Sequence, residues 1–109
     1  MQLIKAIVRP NKVDEVKEAL EKTGVTGMTV TEVRGHGQQK GHTAIYRGKE
    51  YAVSLLPKMQ IETVVDDSAV DTTIRAIVGA ARTGEIGDGR VYVTPVMQSY
   101  KIRTGEREQ

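Results

Sequence analysis

Lys58-Met59-Gln60-Ile61-Glu62-Thr63-Val64-Val65-Asp66-Asp67-Ser68-Ala69-Val70-Asp71-Thr72-Thr73-Ile74-Arg75-Ala76-Ile77-Val78-Gly79-Ala80-Ala81 runs from a strand period directly into a helix period. Met59, Ile61, Thr63 and Val65 share one face of an extended segment, with Gln60, Glu62 and Val64 on the other. Asp66, Asp67 and Ser68 offer capping oxygens for a helix whose inner face carries Val70, Ile74, Ile77, Val78 and Ala81. The same order occurs once before. Leu3–Val8 reads as a buried strand stopped by Arg9-Pro10, and Asn11 is placed to cap a helix with Val13, Val16, Ala19 and Leu20 inward. Asp14 and Glu15 suit the positive end of that helix, and Gly24 supplies its stop. Ile4, Ile7, Val13 and Asp14 line up with Ile61, Val64, Val70 and Asp71 at one constant offset, so the halves echo each other.

Met28–Arg34 and Val91–Met97 supply the closing strand of each half. The order is strand, helix, strand, long loop, strand, helix, strand. Right-handed crossovers in both halves predict one α+β domain over 1–109 of the ferredoxin-like plan, with a four-stranded antiparallel sheet and both helices on one face. The uncovered face still carries apolar strand residues, which predicts an interface and a homo-oligomer. Residues after Gly105 are polar and are expected to fray.

Composition excludes several chemistries. Without cysteine there are no disulfides, thiolate metal sites or thiol nucleophiles. A net charge of +2 is too small a surplus to indicate a nucleic-acid stripe. No run approaches the length of a membrane span, and the apolar part of Met1–Lys5 is too short for a signal peptide, so a cytoplasmic protein is expected.

Four features carry possible chemistry. The stretch 37–54 is longer than a compact domain normally keeps as a loop unless it is functional or disordered, and it holds Gly37, Gly41, Gly48, Tyr46 and Tyr51. Held at its base between two strands, it has the form of an interaction arm. Thr83-Gly84-Glu85-Ile86-Gly87-Asp88-Gly89-Arg90 follows a helix and precedes a strand. Its glycines let backbone N–H groups converge on an anion, and Arg90 adds a fork for phosphate oxygens. A helix C-cap followed by a Gly-Asp-Gly turn accounts for the same spacing. Lys101 and Arg103 project to one side of an extended segment, where they clamp a polyphosphate or sit in water. Lys58 and Glu62 lie in a strand expected to be central, where a charge is paired, exposed at the sheet end or used by a ligand. His36 and His42 lack the further ligands a metal site needs, and no nucleophile–base set stands out.

In this order, the segments Lys5–Pro10, Gly27–Val33, Gly37–Thr43, Tyr46–Tyr51, Thr83–Arg90 and Arg103–Glu106 resemble the nitrogen-regulatory PII signal-transduction family of the GlnB/GlnK type. The resemblance covers nearly the whole chain. It implies a homotrimer with a nucleotide in each cleft between neighbours, where ATP and ADP compete and 2-oxoglutarate joins Mg-ATP. On this sequence it implies Ile7, Thr29, Gly35, Glu62 and Val64 around the adenosine. Gly87, Asp88, Gly89 and Arg90 would cradle the phosphates, completed by Lys101 and Arg103 of the adjacent subunit. Gln38 stands where many relatives place an arginine on the terminal phosphate. Gln39 would reach the Mg²⁺, and Gly37, Gln39, Lys40, Gly41 and Lys58 would hold the 2-oxoglutarate. The 37–54 loop would dock on targets, an ammonium transporter of the Amt type or nitrogen-assimilation enzymes and regulators. Tyr51 would be the residue that a family nucleotidyltransferase uridylylates or adenylylates. Membrane association would then be peripheral, through a partner.

The chain departs from the family pattern in ways that bear on chemistry. Arg90 and Lys101 exchange cation types relative to the common arrangement, which keeps the charge and moves the bidentate geometry. Lys49 replaces the small residue usual beside the modified tyrosine. Two other classes compete with a non-enzymatic sensor. A small ATP-hydrolysing enzyme would use the glycine-rich loop with His36 or His42, and an RNA-binding ferredoxin-like module would need aromatics on its central strands.

Overall fold

The computed structural model describes residues 1–36 and 55–109, together with the backbone of Thr43–Tyr46 and Lys49–Ala52. Its elements follow the expected order. They are β1 (Gln2–Val8), α1 (Val13–Lys22), β2 (Thr29–Gly35), β3 (Thr43–Tyr46), β4 (Lys49–Ala52), β5 (Leu56–Val65), α2 (Val70–Ala81) and β6 (Gly89–Pro95). The main sheet has the order β2-β5-β1-β6 and is antiparallel throughout, which is the ferredoxin-like α+β fold.

Alternation decides which side chains form the core. Ile4, Ala6 and Val8 of β1 and Ile61, Thr63 and Val65 of β5 turn toward the helices, where Val16 and Leu20 of α1 and Ile77 and Ala81 of α2 meet them. Ile4, Leu20, Ile61 and Ile77 are almost wholly buried, each stabilising the fold by about 1.5–3 kcal/mol. α1 ends as its sequence asks. Gly24 takes φ 93°, its N–H donates to the Glu21 carbonyl (3.1 Å), and Val25 N–H donates to the Leu20 carbonyl (3.2 Å).

Several local expectations change. Asn11 does not cap α1, because Pro10–Lys12 forms a 3₁₀ turn and Lys12 becomes the N-cap. The 67–69 stretch is likewise a 3₁₀ turn entered from Asp66 with no side-chain cap. Asp67 instead accepts from the Gln2 side chain at 3.0 Å. On α2 the buried positions are Thr73, Ile77 and Ala81, whereas Val78 is 40% exposed. Thr73 can be buried because its hydroxyl donates to the Ala69 carbonyl one turn back, at 2.7 Å. Thr63 meets the same requirement by donating to the Gly27 carbonyl at 2.6 Å.

β5 begins at Leu56, before Lys58, and includes Pro57. β1 reaches β5 only as far as the Val8–Met59 pair, so Pro57 has β2 alone as a neighbour and forfeits no ladder bond on the other side. β6 begins at Gly89 and ends at Pro95. Within the long loop, β3 and β4 pair antiparallel with Thr43 opposite Ala52 and Tyr46 opposite Lys49, runs of four residues too short to show a period in sequence. The tail beyond Gly105 is not frayed. Lys101 N–H donates to Glu106 O (2.9 Å), Glu108 N–H to Ser99 O (2.7 Å), and Tyr100 bridges Arg107, so 99–109 folds back on itself.

The helix-free face of the sheet is mixed rather than apolar. Leu3, Ile7, Val33, Val64 and Tyr92 alternate there with Lys5, Lys58, Gln60, Glu62 and Arg90. Val64 and Tyr92 are each about half exposed. No helix among the described residues is long and apolar enough to cross a membrane.

Candidate functional site

The 83–89 stretch leaves α2 and returns the chain to β6 along the end of β1. Gly89 fixes where it lands. Its φ is 109°, and a Cβ there would lie 1.7 Å from the Ile7 carbonyl oxygen, so only glycine permits this approach. Register then sets Arg90 opposite Ile7 and Gly89 opposite Val8.

Asp88 organises the loop from within. One carboxylate oxygen accepts the amides of Thr83 (2.7 Å) and Gly84 (2.9 Å). The other accepts the Thr83 hydroxyl (2.5 Å) and Arg9 Nε (3.1 Å). The Thr83 hydroxyl and amide hold the Asp88 carboxyl well below the usual carboxylate range; burial partly opposes them, and Gly84 and Arg9 add smaller lowering effects.

Two cations tie this loop to the sheet. Arg9, at the end of β1, pairs with Asp88 and also donates from Nη2 to the Ile86 carbonyl at 2.9 Å. Lys58, on β5, donates from Nζ to the Gly87 carbonyl at 2.5 Å. Burial and the neighbouring Arg9 charge lower the Lys58 pKa, and Asp88 partly opposes them. A methyl group added at Gly35 would lie 3.8 Å from Lys58 Cγ, so Gly35 abuts the lysine stem. Beside Lys58, a hollow of about 430 Å³ opens at the root of the long loop, lined by Glu32, Val33, Arg34, Pro57 and Met59.

The described residues expected around the adenosine share the helix-free face with Arg90. Ile7 and Arg90 are register partners, Thr29 faces Glu62, and Val64 faces Leu3. Ile7 and Leu3 are four residues apart on β1, roughly 13 Å at a strand rise of about 3.3 Å per residue. Gln60 donates to Glu62 at 2.5 Å, which steadies one Glu62 oxygen and leaves the other clear of that bond. Lys101 and Arg103 are elsewhere. They sit exposed in the 99–109 hairpin, and among the described residues no hydrogen bond or ion pair joins them to the loop at 83–90.

Gly37, Gln38, Gln39, Lys40, Gly41 and His42 lie outside the described residues, as does the side chain of Tyr51. His36 is exposed, and no group of three or more His, Asp or Glu side chains among the described residues is arranged to hold a metal. Arg9 and Thr83 were not singled out from sequence. The signal available was a threonine and an aspartate bracketing the first glycines of the loop, a spacing suited to closing a turn.

Comparison with known proteins bears on this arrangement. The family model described as nitrogen regulatory protein P-II matches residues 1–106. A nitrogen regulatory protein P-II of Azospirillum brasilense is 57% identical over 107 residues, covering 98% of this chain and 96% of the relative. One from Nostoc punctiforme is 56% identical over 107 residues, with the same coverage. Nitrogen regulatory protein P-II 1 of Escherichia coli is 55% identical over 108 residues, covering 99% of this chain and 96% of the relative.

Proposed function

Because the chain belongs to the nitrogen regulatory protein P-II family, a family of signal-transduction proteins rather than enzymes, we propose that it senses ATP, ADP and 2-oxoglutarate and relays their occupancy to target proteins through the 37–54 loop. The observation that carries the reading is the tether of the glycine-rich loop to the sheet by Arg9 and Lys58, at the spot where Ile7 and Arg90 stand side by side.

The residues present fit a nucleotide. Adenosine would lie along the open face over Ile7, Gly35, Glu62 and Val64, with Thr29 contributing from the adjoining edge. Its phosphates would reach Arg90 and the backbone of 87–89, where Gly89 leaves no room for a side chain. Lys101 and Arg103 are remote within one chain, which supports their arriving from a neighbour in a homotrimer. Mg²⁺ would enter with ATP and neutralise phosphate charge, with Gln39 as its protein contact. Gln38 would approach the terminal phosphate.

Lys58 links the two ligands. A 2-oxoglutarate carboxylate, held with Gly37, Gln39, Lys40 and Gly41, would compete with the Gly87 carbonyl for the ammonium group. Occupancy at the loop root would then bias the arm. A shift from 1:99 to 99:1 requires about 5.5 kcal/mol of differential affinity. The arm would present different shapes to an Amt-type ammonium transporter or to nitrogen-assimilation enzymes and regulators in the cytoplasm. Uridylylation or adenylylation of Tyr51 by a nucleotidyltransferase would add bulk and charge that obstruct docking.

Calorimetry with ATP, Mg²⁺ and 2-oxoglutarate tests the proposal. Binding of 2-oxoglutarate only when Mg-ATP is present is the expected result, and its absence removes the central step. The RNA-binding alternative loses support from the central strands. On the open face β1 and β5 carry Leu3, Lys5, Ile7, Gln60, Glu62 and Val64, with no aromatic for a base to stack on.

A further inference from the structure

We infer that Thr83 and Asp88 are positioning residues, which hold the 83–89 loop in its phosphate-receiving shape before any nucleotide arrives; this rests on the nucleotide reading above. An ionised carboxylate offers about four acceptor positions. Asp88 has four donors on its two oxygens, the Thr83 amide, the Thr83 hydroxyl, the Gly84 amide and Arg9 Nε. Its side chain is therefore committed to the loop, and only its backbone is left to face a ligand.

The Thr83 hydroxyl is equally committed. While donating to Asp88 it accepts the Glu85 N–H at 3.1 Å. The two side chains thus close a ring that sets the path from Thr83 to Asp88 and fixes the direction from which the chain passes Gly87 and enters the sheet at Gly89. Arg9 balances the Asp88 charge, so an incoming phosphate meets an ion pair rather than a bare carboxylate. Preorganisation of this kind raises affinity for the group that the loop meets and leaves the rest of the ligand unaffected.

The test compares ATP with adenosine, which lacks the phosphates, on the wild-type protein, Thr83→Val, Thr83→Ser and Asp88→Asn. Calorimetry should show ATP affinity falling about tenfold or more in Thr83→Val and Asp88→Asn, about 1.4 kcal/mol. Adenosine affinity should stay within about twofold, because its contacts lie on the open face. Thr83→Ser, which keeps the hydroxyl, should bind ATP as the wild type does. Should Asp88→Asn fail to fold, the Thr83→Val and Thr83→Ser pair decides alone. Equal losses for ATP and adenosine, tracking a lowered melting temperature, overturn the inference in favour of a purely structural role, as does unchanged ATP affinity in Thr83→Val. A wild-type chain that binds no ATP overturns the parent reading and this inference with it.

Discussion

Lys58 Nζ donates to the carbonyl oxygen of Gly87 across 2.5 Å, so one side chain bridges the central strand β5 and the glycine-rich loop at 83–89 that we propose receives phosphates. Replacing it with methionine keeps the stem packed against Gly35 and removes the charge. Hydrogen bonds involving a charged group contribute about 1.5–3 kcal/mol. Lys58→Met is therefore expected to weaken 2-oxoglutarate binding by roughly 10- to 150-fold in the presence of Mg-ATP. Isothermal titration measures this, and an unchanged affinity would remove Lys58 from the pocket.

Arg103→Ala should weaken ATP binding while leaving the proposed trimer and the melting temperature intact, since Arg103 is exposed and makes no ion pair among the described residues of its own chain. Sedimentation run beside calorimetry separates the two readouts. Dissociation of the assembly would mean the residue serves the interface instead.

Glycine positions in the same loop should respond unequally to alanine. At Gly84 the φ is 89° with nothing within 4 Å of an added Cβ, so the cost is conformational strain alone, about 1–2 kcal/mol. At Gly89 the added carbon would overlap the Ile7 carbonyl, and loss of β1–β6 pairing or of the fold is expected. Thermal denaturation of the two variants ranks them, and equal melting temperatures would contradict the close approach.

In the core, Ile61→Ala should cost about 2–5 kcal/mol, because the side chain is 1% exposed and its removal leaves a cavity. Thr63→Val is a subtler probe. It preserves volume and leaves the Gly27 carbonyl without its 2.6 Å donor, for an expected loss of about 1–3 kcal/mol by urea denaturation.

The Asp88 carboxyl titrates below its ordinary value of 3.8, so the sign of its effect on stability is fixed. A depressed folded pKa means that the stabilisation is fully present above about pH 4 and is lost as pH falls toward the folded value. Wild type should lose more stability between pH 6 and pH 3 than Asp88→Asn does. Parallel pH profiles would show that the Thr83, Gly84 and Arg9 donors do not discriminate the ionised form.

Residues whose environment repeats along an element were legible before the structure. The apolar run of Leu3–Val8, the alternation in Lys58–Val65 and the helical spacing of Val16 with Leu20 and Ile77 with Ala81 follow from burial. Thr73 was missed because its burial depends on a hydroxyl bond to Ala69, which no hydropathy period records. Val78 was misread because it lies at the edge of the helical stripe, beyond the sheet's cover. In the site, the glycines and Arg90 of 83–90 marked the loop, as either an anion cradle or a helix C-cap with a Gly-Asp-Gly turn. Arg9 stayed hidden because its partners, Ile86 and Asp88, lie more than seventy positions away in sequence. The closed tail at 99–109 was likewise invisible, being held mainly by backbone bonds that polar composition does not reveal.

The contact between Gly89 and Ile7 has a practical side for anyone reshaping this protein. A seam without space for a single methyl group cannot be shimmed, so libraries that diversify the loop must leave position 89 fixed. Length changes between 83 and 88 that fed into β6 would slip its pairing by one step and swing Arg90 from the open face to the helix side, abolishing the arginine's post without altering any residue's identity.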